Sequence, residues 1–273
     1  MILDRYWKLL TFASLFILIV SVAVLAMNVA STGFPMDRDV ELTGGKRVSF
    51  IIGEIDLGKA EALFPRYEVR LYRGTSNSLV ITAPYSANES DVIASVNQNF
   101  PVAGEPTIQS IGPAIGNVFW QQAQTAMLMA FALMSVVVFL LFRSPVPSMI
   151  VMLSAVTDLA ATAAVSDIIG IQLSLPVLAA MIMIVAYSVD TDILLTSSML
   201  KLAHGTAWES MKTGLTMTSC TLAALLSLYF IAGSALLQTM ALVLMIGVIV
   251  DIPVTWFTNA GLLRLWLERK KGN

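Results

Sequence analysis

Four aspartates, Asp158, Asp190, Asp192 and Asp251, lie inside long apolar stretches of the chain. On insertion scales an ionised acid at the centre of a membrane helix costs about 2.5–3.5 kcal/mol, so acids placed there face protein or trapped water. Loss of solvent disfavours the charged form, which lets such a carboxyl take up a proton on one side of a membrane and release it on the other. The chemistry expected of the four is therefore a proton or ion relay. Lys212, at the start of a later apolar run, is a candidate counter-ion for them or else an ordinary membrane-surface cation.

The spacing around these acids sorts them by face. Ser154, Asp158, Thr162 and Ser166 recur at i, i+4 and draw one polar stripe along an otherwise apolar helix. Asp190 and Asp192 stand about 200° apart at 100° per residue, so they cannot hold one ligand as a pair. Tyr187, Asp190, Thr191 and Ser198 line one side of that helix, and Ser188, Asp192 and Thr196 line another. Thr216 and Ser219 extend a similar face from Lys212. Each hydroxyl has two readings, as a relay member or as hydrogen-bonded packing between helices. Asp251 comes two residues before Pro253 and can equally mark a kink, because proline removes a helical hydrogen bond. Counting 1.5 Å per residue brings Asp158, Asp190 and Asp251 toward one layer near the centre of their spans. Of the adjacent pair, Asp190 is expected to matter more to transport.

Other chemistries lack their parts. His204 is the single histidine and Cys220 the single cysteine, so there is no two-histidine zinc motif, no second base for a nucleophilic triad and no intrachain disulfide. Cys220 is expected to be a small buried hydrophobe. No G-x-x-x-x-G-K-[ST] loop occurs, which leaves a transmembrane ion gradient as the energy source. An intramembrane aspartyl protease needs Tyr-Asp and Gly-x-Gly-Asp; Tyr187 is followed by Ser188, and the second motif is absent. The expectation is a non-enzyme with no cofactor and no metal.

The elements that must position these acids follow from composition. With 273 residues, 57% apolar and 12% charged, and a mean hydropathy of +0.79, the chain reads as a multi-spanning α-helical membrane protein and an unlikely partner for nucleic acid. Apolar runs at 9–29, 125–142, 147–169, 175–199, 215–231 and 236–263 predict six transmembrane helices. Between the first two, residues 34–117 concentrate charge and alternate in short runs: strands at 47–52, 67–72, 79–83 and 107–111, helices at 57–64 and after Asn88, an N-cap at Asp56, and a turn at Gly74 and Asn77. That order, β-α-β-β-α-β, is the ferredoxin-like sandwich, which argues shape and not activity. The divisions expected are 1–33 (cytoplasmic start and first helix), 34–117 (extracytoplasmic domain), 118–265 (helices two to six) and 266–273 (basic tail). Lys and Arg at the termini and in two short loops fall on one side when six spans are threaded, so both termini are expected in the cytoplasm of a cell (plasma) membrane protein.

Several of these residues resemble the SecF protein-export membrane proteins, the smaller partner of SecD in the resistance-nodulation-division superfamily. Glu41-Leu42-Thr43-Gly44-Gly45 is similar to that family's D-F-T-G-G, and Gly112-Pro113-Ala114-Ile115-Gly116 stands just before the second span, where the family has its own motif. Tyr187-Ser188-Val189-Asp190-Thr191-Asp192 resembles the fourth-span signature Y-S-x-N-D-T, with Asp190 where bacterial members carry Asn and Thr191 where they carry Asp, an archaeal flavour. Asp158 matches the family's third-span acid, Lys212 the place of a fifth-span arginine, and Asp251 a sixth-span glycine. Either Asp190 or Asp192 inherits the bacterial acid's role. The resemblance implies a subunit that assists the Sec translocon, with a SecD-like partner, an unfolded translocating polypeptide and the lipid bilayer as its contacts, driven by the proton-motive force. The alternative is a subunit of a small-molecule or lipid exporter of the same superfamily.

Overall fold

The computed structural model describes residues 2–53, 57–72, 77–201 and 207–272. The expected cap Asp56, the turn residue Gly74 and His204 lie outside the described residues. Between the first two long helices, α1 (Ile2–Thr32) and α5 (Pro113–Phe142), the chain builds one antiparallel sheet from β1 (Gly45–Ile52), β2 (Glu68–Tyr72), β3 (Asn77–Ala83) and β4 (Thr107–Ile111), in the order β2-β3-β1-β4. Strict alternation sends Val48, Phe50 and Ile52 of β1 to one face, where α3 (Leu57–Leu63) and α4 (Glu89–Asn99) cover them with Ala60, Val92 and Val96. Asn88 caps α4 by accepting the Ser90 N–H at 3.3 Å, and Glu89 and Asp91 in the first turn complement the helix dipole. Asn77, expected in a turn, instead opens β3 opposite Ile52.

Among the described residues six helices are long and apolar enough to cross a membrane, and the protein is a multi-pass membrane protein. After α5 come α6 (Pro145–Ile168), α7 (Leu175–Lys201), α8 (Ala207–Ile231) and α9 (Ala235–Pro253). Burial sorts them: 61% of the apolar window in α6 and 50% in α7 is interior, against 6% in α5 and 11% in α1 and α8, so α6 and α7 form the centre and the others present apolar surface outward. Helix α5 starts at Pro113, well before its apolar run, because proline suits the first helical position and the polar residues that follow sit on the outside.

Two expectations change here. Cys220 is exposed and not buried. It lies on the outward side of α8, where lipid in place of water makes an apolar residue no guide to inside or outside. The sixth run is not one continuous α-helix. Helix α9 ends at Pro253, six residues form a π-helical turn (Val254–Asn259), and α10 (Ala260–Gly272) follows. Proline cannot donate to the ladder, and a widened turn is one of the few ways a helix absorbs that loss.

Candidate ion-relay site

Helices α6, α7 and α9 bring Asp158, Asp192 and Asp251 together in the interior, all three buried. The chief charge acting on Asp158 is Asp251, followed by Asp192, and the chief charge acting on Asp192 is again Asp251, so the three carboxylates confront one another. Ser188 donates a short hydrogen bond to Asp158 Oδ2. Thr191 Oγ1 lies 3.1 Å from Asp251 Oδ2, and Thr255 donates to Asp251 Oδ1 at 2.9 Å. Asn259 Nδ2 donates to Asp192 Oδ1 at 2.7 Å, while its amide group also lies 3.3 Å from the Thr196 hydroxyl. Like charges this close cannot all ionise without compensation. A proton shared between two of the carboxyls is the chemistry that relieves such repulsion.

The expected residues divide between this cluster and its surroundings. The Ser154, Asp158, Thr162 and Ser166 stripe faces the interior along its whole length. Ser188 and Thr191 join the acids, whereas Tyr187 donates to Thr218 on α8 at 3.0 Å and packs helices together. Asp190 is exposed on α7, and Lys212 is exposed near the start of α8. Thr216 and Ser219 do not extend the site: they are exposed and donate to the carbonyls of Lys212 and Leu215 one turn back. Asn259 and Thr255 were not predicted. A lone asparagine in an apolar run gives no periodic signal, and the π turn shifts the helical phase by a residue. Thr258 in the same turn bonds Ser14 of α1 at 2.8 Å, so the turn is tied down on two sides.

A buried strut links the sheet to the start of α7. The one-turn helix α2 (Val40–Thr43), capped by Asp39, carries Glu41, whose Oε2 accepts the Leu175 N–H at 2.8 Å and whose Oε1 accepts Gln109 Nε2 of β4 at 3.1 Å. A carboxylate on the first N–H groups of a helix is favoured by the dipole. Arg47 of β1 pairs with Asp39 and approaches Glu41 at 3.8 Å. Burial lowers the pKa of the Arg47 guanidinium, with Tyr72 and Glu68 acting in the opposite direction. Asp39 N–H to Leu173 O and Leu173 N–H to Asp37 O complete the junction, at 3.0 and 2.7 Å. Replacing Glu41 with Ala orphans a buried N–H and costs about 1–3 kcal/mol. Amide exchange at Leu175 is then expected to accelerate at least tenfold, with Glu41→Gln much closer to wild type.

The chain has clear relatives. A family model described as protein export membrane protein SecD/SecF, C-terminal, matches residues 91–269. Protein-export membrane protein SecF of Methanolacinia petrolearia is 36% identical over 265 residues, covering 94% of this chain and 92% of the relative. The SecF of Pyrococcus furiosus is 34% identical, covering 93% and 88%. This chain belongs to the SecD/SecF family, as an archaeal-type SecF. Among solved structures, SecDF of Thermus thermophilus, titled a translocon-associated membrane protein, matches with a TM-score of 0.77 at 19% identity, covering 97% of this chain and 38% of that one. SecDF in a super-membrane-facing form matches with a TM-score of 0.61 at 18% identity, covering 98% and 39%. At these identities the likeness speaks to the fold, and this SecF chain spans about two fifths of the SecDF chain.

The glycine motifs shared with SecF have a packing reason here. Gly44 has φ +80, a conformation L side chains rarely adopt, and the start of α5 lies directly on it. A Cβ on Gly116 would sit 2.6 Å from Gly44 N, and one on Gly44 would sit 2.5 Å from Pro113 Cα. Backbone meets backbone at this joint. Gly45, in extended backbone, has the Val40 side chain 2.9 Å from its would-be Cβ, whereas Gly112 has open space. Gly116→Ala is therefore expected to destabilise by about 1–3 kcal/mol through overpacking. Gly112→Ala is expected to be nearly neutral, and thermal unfolding of the two purified variants compares them.

Proposed function

We propose that this protein is the SecF subunit of a protein-export complex and that a transmembrane proton gradient does its work through Asp158, Asp192 and Asp251. The single observation that supports this reading most is the convergence of three buried carboxylates, with Ser188, Thr191, Thr255 and Asn259 bonded to them, in a family whose members are named for protein export. Protonation at one surface and release at the other changes the charge in the bundle centre by whole units. Helix α7 carries Ser188 and Asp192, the Leu175 N–H at its start bonds Glu41, and Leu173 just before it bonds Asp37 and Asp39, so a shift of α7 moves the sheet. In this reading residues 34–117 stand outside the cell membrane, both termini lie in the cytoplasm, and the sheet domain releases or draws an unfolded polypeptide emerging from the Sec translocon.

A six-helix half that leaves Asp190 on its surface calls for a second half to cover it. A SecD-type subunit fills that place, in keeping with a SecDF chain of which this one covers 38%. The test has two parts: co-purification of the chain with a SecD-type subunit from native membranes, and release of a secreted reporter from cells with and without a protonophore. The reading expects a stable pair and export that slows severalfold when the gradient collapses. A lone chain together with gradient-independent export speaks against it.

A further inference from the structure

Two hydroxyls on α6 are buried with no bonding partner among the described residues, and a third stands against Asp192. Thr162 Oγ1 and Ser166 Oγ find no partner among the described residues, and neither does Asp158 Oδ1, whereas Ser154 stands beside Asp192. Elsewhere in the bundle hydroxyls fold back onto the carbonyl four residues earlier, as Thr157 does to Leu153 at 2.8 Å on this same helix, and Ser227 and Thr239 do at 2.9 Å on theirs. The stripe hydroxyls leave that bond unmade. An unmet buried polar group costs about 1–3 kcal/mol, so two in one stripe beside an unmet carboxylate oxygen signal a partner of another kind.

Their geometry names it. Successive stripe residues are separated by about 6 Å along the helix axis, and one water reaching about 2.8 Å to each side spans such a gap. The stripe begins at Ser166, whose carbonyl accepts the Ile171 N–H at the sheet end of the bundle, and runs through Thr162 to Asp158. The antiparallel register that pairs Asp158 with Ser188 sets Ser154 level with Asp192. Beyond that layer, toward the termini, the polar groups are met by protein: Asn259 bonds Asp192 Oδ1 and lies against Thr196. The line is unmet toward the sheet and closed toward the termini.

We propose that the α6 stripe is a file of water that delivers protons from the sheet side to Asp158 and Asp192, with Ser166, Thr162 and Ser154 as its bonding groups and Asn259 as its closed end. The proposal rests on the acid cluster being the relay, and it adds the route. Each stripe hydroxyl accepts a hydrogen bond from one water and donates to the next, so a proton advances by exchange of bonds and no group need stay charged. Thr162→Val removes a link of nearly equal size, and Thr162→Ser restores it.

The experiment uses the full chain with its partner in cells, starting from Cys220→Ala, which removes the one native thiol. Single cysteines are placed by Ser166→Cys, Thr162→Cys and Ala164→Cys, the last a buried control of similar depth on another face of α6. Silver ion, small and confined to aqueous paths, is applied from the sheet side, and thiols left unreacted are then counted with a maleimide after denaturation. Thiols react as thiolates, which form in water and not in hydrocarbon. The expected result is reaction at 166 and 162 at least tenfold faster than at 164, with export slowed severalfold by Thr162→Val and recovered by Thr162→Ser. Reaction at 166 and 162 no faster than at 164 overturns the route while leaving the acids as relay, provided Asp192→Asn blocks export. Fast reaction combined with full export by Asp192→Asn overturns the relay and, with it, the purpose of the route.

Discussion

Asp192→Asn is expected to cut gradient-driven export of a secreted reporter at least tenfold while leaving the protein folded and bound to its partner. The amide keeps the size of the carboxylate, and its oxygen still accepts the Asn259 N–H now made at 2.7 Å. It cannot gain or lose a proton. Removing one buried acid also relieves the repulsion from Asp251, so thermal stability is expected to hold or rise while transport is lost. Asp158→Asn should behave alike, because Ser188 continues to donate to the remaining oxygen. Asp190→Asn is expected to be milder. Asp190, expected from the sequence to matter more of the pair, lies on the exposed face of α7, away from the groups that bond the other acids. Pulse-chase of the reporter with each variant at matched expression compares the three. Export reduced by Asp190→Asn but not by Asp192→Asn would move the relay to the partner-facing side.

Asn259→Leu carries the second large effect, and it separates stability from transport. Leucine keeps the branched heavy-atom skeleton of asparagine, with methyls bulkier than the amide. Asp192 then loses the partner of Oδ1. A hydrogen bond to a charged group is worth about 1.5–3 kcal/mol, and leaving such a group buried and unpaired costs the larger share. The expected outcome is a lower unfolding temperature together with export near background. Changing both partners, by Asp192→Leu with Asn259→Leu, replaces the pair with apolar groups of the same branched skeleton, and replacing a whole buried polar pair is often neutral or stabilising. The double variant should regain stability and stay inactive in export. Recovery of export in the double variant would make the pair a packing feature and not part of the relay.

Much of this arrangement could be read from residue order. The stripe on α6 was legible because four polar residues at i, i+4 in an apolar helix admit one arrangement, facing other helices. The sheet was legible because water on one side and core on the other impose alternation on β1, while β3, buried at Ser78, Leu79, Val80 and Ile81 in a row, reads as a short apolar run. Within the membrane that contrast fails. Lipid is as apolar as the interior, so nothing in the run around Cys220 separates its outward side from its inward side, and nothing in the spacing of Asp190 and Asp192 says which one turns inward. The rotation of α7 is set by α6 and α9, through contacts such as Ser188 to Asp158 and Thr191 to Asp251. The Glu41 strut joins residues 134 apart in sequence, and its four-residue helix is too short for any periodic signal. Asn259 was hidden by the π turn, where an extra residue per turn breaks the count from Asp251.

The most direct measurement places this SecF with its SecD-type partner and the translocon in proteoliposomes and records reporter export with and without an imposed pH gradient. Wild-type protein is expected to export severalfold faster with the gradient, and the triple variant Asp158→Asn, Asp192→Asn, Asp251→Asn is expected to export at one rate in both conditions. A triple variant that keeps the wild-type response to the gradient contradicts the buried acid cluster as the coupling site.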